Sequence, residues 1–394
     1  MNNIPVVRNR ISSIDLLRGI VMVIMALDHV RDFFHNDAYI HDPLNPQTTT
    51  PILFFTRWIT HFCAPVFLFL AGMSSYLMGL KMTKSQLSIF LIKRGCWLIF
   101  IEIAIITLAI TFNPLYNVII LQVIWAIGIS MIILGLLVRL PLTVILIIGC
   151  MIVFGHNLLD YPEAVHNHKV GFLWDLVHNS NFAVYSYLRN HAIVIVYPFL
   201  PWVGIMSLGY CMGKLFEPSV NALWRRKVLI YTGSGLVVLF ILVRWINEYG
   251  NPVPWSEQRN GLYTFLSFLN VNKYPPSLMY IAITIGPALI FLGLTENLKN
   301  KISSIFIVYG RVPFFYYVIH FYLIHTLSFI AMLLSGISAK DAWVPNFPFR
   351  PKEFGFDLWG VYLVWILVVL IMYPLCKKYN GYKNTHHNWW LSYL

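Results

Sequence analysis

The stretch from Ser13 to Phe34, SIDLLRGIVMVIMALDHVRDFF, is apolar enough to enter a bilayer, yet it carries Asp15, Arg18, Asp28, His29, Arg31 and Asp32. Read as a helix at 100° per residue, Arg18, Met22, Met25, His29 and Asp32 share one face. Arg18 and His29 are eleven residues apart, or roughly 16 Å along the axis. The stripe sets a cation near one membrane surface and an imidazole, with Asp28 beside it, most of a leaflet away. Charges at membrane depth are expensive, face the protein interior and mark a functional site by default. The imidazole can serve as a general base or accept an acyl group. The guanidinium can clamp phosphate. Met22 and Met25 between them offer a narrow apolar lining. A coenzyme A thioester has that outline: phosphates at one end, a long arm, a reactive carbonyl at the tip. A proton-coupled transporter or flippase would use the same Asp, His and Arg, so spacing alone leaves both classes open.

Two further stretches repeat the pattern. Arg57 and His61 stand at i,i+4 and share a face, with Pro65 freeing a backbone carbonyl beside them. His61 falls at the depth expected for His29. In GRVPFFYYVIHFYLIH, residues 310–325, Arg311 is expected at the inner surface and His320 nine residues on, roughly 13 Å deeper. Tyr316 and His320 share a face, and Pro313 belongs in the first turn, leaving Arg311 ahead of the helix proper. Asp28, His29 and His61 are therefore the candidates for chemistry, and Arg18, Arg311 and His320 those for the donor. His325 is expected at an outer rim, and Glu102 in a structural ion pair with Lys93 or Arg94. No metal is expected. His166/His168 and His386/His387 lack a carboxylate or Cys at ligand spacing. The five scattered cysteines, with neither metal nor redox spacing, read as small buried hydrophobes.

The elements that must position these residues are membrane helices. Of 394 residues, 58% are hydrophobic and 11% charged, with a mean hydropathy of +0.68. That composition excludes a soluble domain and reads as an all-α polytopic membrane protein: residues 1–394 as one bundle, with a short tail at 380–394. About ten spanning segments are expected, near 14–34, 52–80, 95–112, 117–138, 140–159, 191–215, 227–246, 276–296, 311–335 and 357–379. Seventeen Lys and Arg fall in connections on one side and nine on the other, which puts both termini in the cytoplasm. The net charge of +12 is spread over these connections, so nucleic acid is not an expected partner. The outer connections, about 35–51, 160–190, 247–275 and 336–356, are rich in Pro, Asn, Trp and Tyr and suit a lid or an outer substrate site. No cleavable signal peptide is expected, because the first basic segment leads into a charged helix. Oligomeric state is not written in the sequence, and a homodimer stays open.

Ser13-Ile-Asp-Leu-Leu-Arg18-Gly19, followed by an apolar helix ending Leu27-Asp28-His29, resembles the opening of the transmembrane acyltransferase superfamily. It is most similar to bacterial members related to the catalytic domain of heparan-alpha-glucosaminide N-acetyltransferase. Thr56–Gly72, Gly310–His320 and the C-terminal run Trp389–Leu394 carry the resemblance further. It implies transfer of an acyl group, typically acetyl, from cytoplasmic acyl-coenzyme A to a glycan or other amine or hydroxyl acceptor across a membrane, here the bacterial inner membrane. It also implies that an Arg-Gly near the start of the first helix and a His at its far end are functional; Arg18 and His29 match. In the heparan-acetylating members the essential His lies in the loop after this helix, and Asn stands at the position of His29. This sequence departs from that pattern. Either His29 is catalytic, the preferred assignment, or the loop residue His41 is; His35, also in that loop, aligns no better.

Overall fold

The computed structural model describes residues 11–38, 40–167, 171–179, 182–342, 354–386, 388 and 391. His168, His387, Arg8, Arg10, Lys169, Arg350 and Lys352, and all but Leu391 of the described-motif run Trp389–Leu394, lie outside them.

The chain opens with α1 (Ser12–Phe34) and α2 (Pro51–Gly79). Next come α3 (Lys84–Ile101), continued by a π segment Glu102–Ile106 and a last turn Thr107–Thr111, then β1 (Val118–Leu121), α4 (Val123–Leu137) and α5 (Leu142–Val165). The middle continues with β2 (Ala183–Leu188), β3 (His191–Ile195), α6 (Leu200–Met212) and α7 (Ala222–Ile246). The last elements are α8 (Leu278–Thr295), α9 (Lys301–Arg311), α10 (Pro313–Leu334) and α11 (Leu358–Thr385). Six helices, α2, α5, α7, α8, α10 and α11, are long and apolar enough to cross a bilayer. Their outward faces are apolar: Leu223, Tyr231 and Trp245 on α7 and Trp359, Leu363 and Leu370 on α11 are more than half exposed. Asp15, Asp28, Arg31, Arg57, His61, Glu102 and His320 are buried. Apolar outside and charged inside is the distribution a lipid solvent selects, so this is a helical membrane protein.

α1 can carry its charges because it runs through the middle of the bundle, against α2, α8, α9, α10 and α11. Its approach to α9 is backbone on backbone. A Cβ built on Gly19 would lie 1.8 Å from the Phe306 carbonyl oxygen, and one on Gly310 would lie 1.8 Å from that of Asp15. Only glycine at both positions lets the two helices cross this closely.

Helix α2 starts at Thr50, whose hydroxyl accepts the Leu53 N–H at 3.3 Å, with Pro51 in the first turn. It tightens into a 3-10 turn at Ile59–Phe62. The cause is Pro65: it has no N–H to give the carbonyl four residues back, which is His61. The Tyr280 hydroxyl on α8 takes that carbonyl instead, at 2.8 Å.

Four expectations are corrected. Residues 118–121 and 191–195, read as parts of helices, are strands. β1 pairs parallel with β3, from Val118 opposite Ala192 to Leu121 opposite Ile195, and β2 pairs antiparallel on the other edge of β3. Short apolar β-branched runs have the hydropathy of a helix end, and only a pairing partner tells them apart. The segment 311–335 is two elements: α9 ends at Arg311 and Pro313 opens α10 in its first turn. Glu102 takes different partners from Lys93 and Arg94. It accepts the Gln122 and Trp125 N–H groups at 3.1 and 3.2 Å, capping the start of α4 with a buried carboxylate. His325 is core rather than rim, fully buried and stacked on Phe112 at 3.7 Å between ring centroids.

Candidate functional site

The His29 end of α1 meets α10. His29 Nδ1 lies 2.7 Å from His320 Nε2. His320 Nδ1 faces the carbonyl oxygens of Tyr317 at 2.6 Å and Tyr316 at 3.0 Å. Carbonyls only accept, so His320 Nδ1 carries the proton. With neutral rings its Nε2 is then an acceptor, and His29 donates Nδ1–H to it. The lone pair of His29 is left on Nε2. Phe321 stacks on the His29 ring at 4.1 Å between centroids, and Tyr317 meets it edge-on at 6.3 Å. His320 is fully buried while His29 is partly exposed. The structure therefore sets His320 beside His29 rather than beside Arg311.

Asp28 serves a different group. Adjacent helix residues point about 100° apart, and its carboxylate faces α2 and the segment before α8. It accepts Arg57 Nη1 at 3.2 and 3.1 Å and Arg31 Nη2 at 3.3 Å, with Lys273 Nζ at 3.8 Å. Arg31 Nη2 also reaches Asp32 at 2.7 Å. Arg57 Nη1 donates to Thr60 Oγ1 at 2.8 Å as well. His61 is buried, and among the described residues neither ring nitrogen has a hydrogen-bond partner. Its ring lies 5.1 Å from that of Tyr280. His41 stands apart from this cluster, its side chain half exposed and its Nδ1 2.7 Å from Asp37 Oδ1.

At the other end of α1, Arg18 is committed to the bundle. Nη1 donates to Asp15 at 3.2 Å and to the Gly310 carbonyl at 3.3 Å, and Nη2 donates to Ser74 Oγ at 3.0 Å. Arg311 Nε is 3.8 Å from Asp15 Oδ2, and its side chain is 39% exposed, more than twice the 16% of Arg18. Arg311 is thus the more available of the two guanidiniums. Arg18-Gly19 and Gly310-Arg311 meet back to back at the glycine crossing.

Sequence reasoning missed Lys273, counted there only among outer basic residues, and Tyr280. Lys273 sits in a connection with no periodicity to read. Tyr280 is one aromatic in an apolar run, although Pro65 already implied a freed carbonyl for some donor to bind. A second cluster also went unread: ligand atoms of Asp160, Glu163 and His178 lie within 4.8 Å of one another, donors a divalent cation accepts. His178 there pairs with Glu163 at 2.7 Å and with His156 at 3.1 Å.

Buried imidazoles and paired charges inside a bundle with apolar outer faces define a helical membrane protein with an internal polar site. Residues 10–242 match the family model described as heparan-alpha-glucosaminide N-acetyltransferase, catalytic. The match spans more than half of the chain, and the chain belongs to that family. No curated protein matches it. The family assigns it to the transmembrane acetyltransferases. Lys273, Arg311 and His320 lie beyond the matched residues.

Proposed function

We propose that the protein transfers an acyl group, acetyl in the first instance, from cytoplasmic acyl-coenzyme A to an amine or hydroxyl of an acceptor at the outer face, with His29 as general base. The observation that carries this reading is the directed bond from His29 to His320, which leaves a lone pair on His29 Nε2 at the partly exposed edge of the ring. His29 Nε2 takes the proton of the acceptor N–H or O–H as that atom attacks the thioester carbonyl. When the tetrahedral species collapses, the C–S bond breaks and the proton passes from His29 to the departing sulfur. The acceptor keeps the acyl group, and coenzyme A leaves as the thiol. His320 holds the tautomer and rotamer of His29 and is a positioning residue. Arg311 contacts the donor phosphates, while Arg18 fixes the crossing that presents it. The 17-to-9 division of basic residues supports ten spans with both termini cytoplasmic, and hence a donor approaching from the Arg311 end.

The test is release of free thiol by purified protein, using acetyl-, propionyl- and palmitoyl-coenzyme A with amino-sugar and alcohol acceptors. Acceptor-dependent thiol release is expected, fastest with the acetyl donor. No release with any donor, together with proton-driven solute uptake in vesicles, would make the protein a transporter instead.

A further inference from the structure

Beside His29 the buried charges do not balance. Among the described residues, Arg31, Arg57 and Lys273 face two carboxylates, Asp28 and Asp32. Asp28, Arg31, Arg57 and Lys273 are each no more than 9% exposed. A buried surplus charge costs several kcal/mol unless a counter-charge accompanies it.

The donors of that surplus are also unspent. Arg57 commits a single nitrogen, Nη1, to Asp28 and Thr60; its Nε and Nη2 bond to no described residue. Lys273 Nζ comes within 3.8 Å of Asp28, too far for a hydrogen bond, and otherwise lies 5.2 Å from the centroid of the Tyr274 ring. Among the described residues, Lys273 thus has an ion-pair partner in Asp28 but no hydrogen-bond acceptor for its ammonium. His61, one turn along from Arg57, has both ring nitrogens buried and unpartnered among the described residues. Arg57 and Lys273 lie within electrostatic reach of both His29 and His61.

We infer that Lys273, Arg57 and His61 form a subsite for an anionic group, a carboxylate, sulfate or phosphate, carried by the acceptor. The inference rests on the reading of His29 as general base: the anion on Lys273 and Arg57 would hold the acceptor with its nucleophile toward His29 Nε2. The donor phosphates are not the occupant, because their Arg end lies roughly 16 Å away along α1. Of the three residues, Arg57 and His61 lie within the stretch the family model matches and Lys273 lies beyond it.

The experiment uses the full chain in lipid nanodiscs, acetyl-coenzyme A, and two acceptors differing by one charge, glucosamine and glucosamine 6-sulfate. The sulfated acceptor is expected to show a KM lower by about tenfold or more, the scale of one buried charge-assisted contact. Lys273→Met should bring the two values within about twofold, and Lys273→Arg should restore the difference. Equal KM values in the wild type, or a parallel rise for both acceptors in Lys273→Met, would overturn the subsite. A second measurement needs no turnover: the rise in melting temperature with sodium sulfate over sodium chloride at equal ionic strength. Because sulfate stabilises proteins generally, the readout is the excess of wild type over Lys273→Met. An excess supports the subsite and its absence overturns it. Should neither acceptor be acetylated, amino sugars fall as the acceptor class and the sulfate arm still decides the subsite. Should Lys273→Met not fold, His61→Phe removes donors without touching an ion pair and takes its place in both arms.

Discussion

One hydrogen bond joins His29 to His320, and its direction decides which nitrogen can do chemistry. The Tyr316 and Tyr317 carbonyls fix the His320 tautomer, and that fixes His29. His29→Ala removes the base and should lower turnover by about 10²–10⁴-fold, with the melting temperature little changed. His320→Phe leaves His29 Nδ1–H without an acceptor. It should lower kcat by about 10–100-fold, the usual cost of losing the group that orients a reactive imidazole. The KM for the acyl donor should hold, because Arg311, the proposed phosphate contact, lies at the other end of the site. His320→Gln should recover part of the loss, since its side-chain carbonyl can accept the same proton. Steady-state kinetics on the three variants checks all of this. Retained turnover in His29→Ala with loss in His41→Ala would move the base into the loop.

The crossing of α1 and α9 sets where the guanidiniums stand. Gly310→Ala places a methyl group against the Asp15 carbonyl, at a separation no Cβ tolerates. The helices must part, at a cost of about 1–3 kcal/mol for overpacking, and Arg18 loses its bond to the residue 310 carbonyl. A lower melting temperature and a raised donor KM in the same variant are the expected pair. An unchanged melting temperature would mean that the crossing is looser than its geometry. Much at this scale was legible in advance. That Arg18 and His29 lie on one helix, and that Pro313 opens the helix carrying His320, could be read from the sequence. That the two His residues touch could not, because periodicity gives position along a helix and not which helix is its neighbour. The strand Val118–Leu121 escaped for a related reason: a strand is defined by its partner, and its register with β3 joins residues more than seventy apart. Glu102 was legible as a buried carboxylate but not as the cap of α4, since the amides it serves come 20 and 23 residues later.

On the proposed function, the molecule as a whole receives its donor and acceptor on opposite faces. In sealed vesicles of known orientation, acetyl-coenzyme A should support transfer only from the side holding the termini. A cysteine probe at position 45 should label only from the other side, and labelling from the donor side would reverse the proposed direction of transfer. The same large-scale view bears on how the site comes into being. His29 is read from the message 291 codons before His320, and Lys273 and Arg311 also follow the stretch that the family model matches. While α1 sits in the membrane without α10, the His29 ring has no partner to orient it. On the proposed mechanism a growing or truncated chain is therefore an idle one, unable to waste acyl thioesters. On the proposed mechanism, insertion of α10 orients the ring that serves as base, and α11, which also packs on α1, still has to follow, so activity would report that all but the last helix is in place.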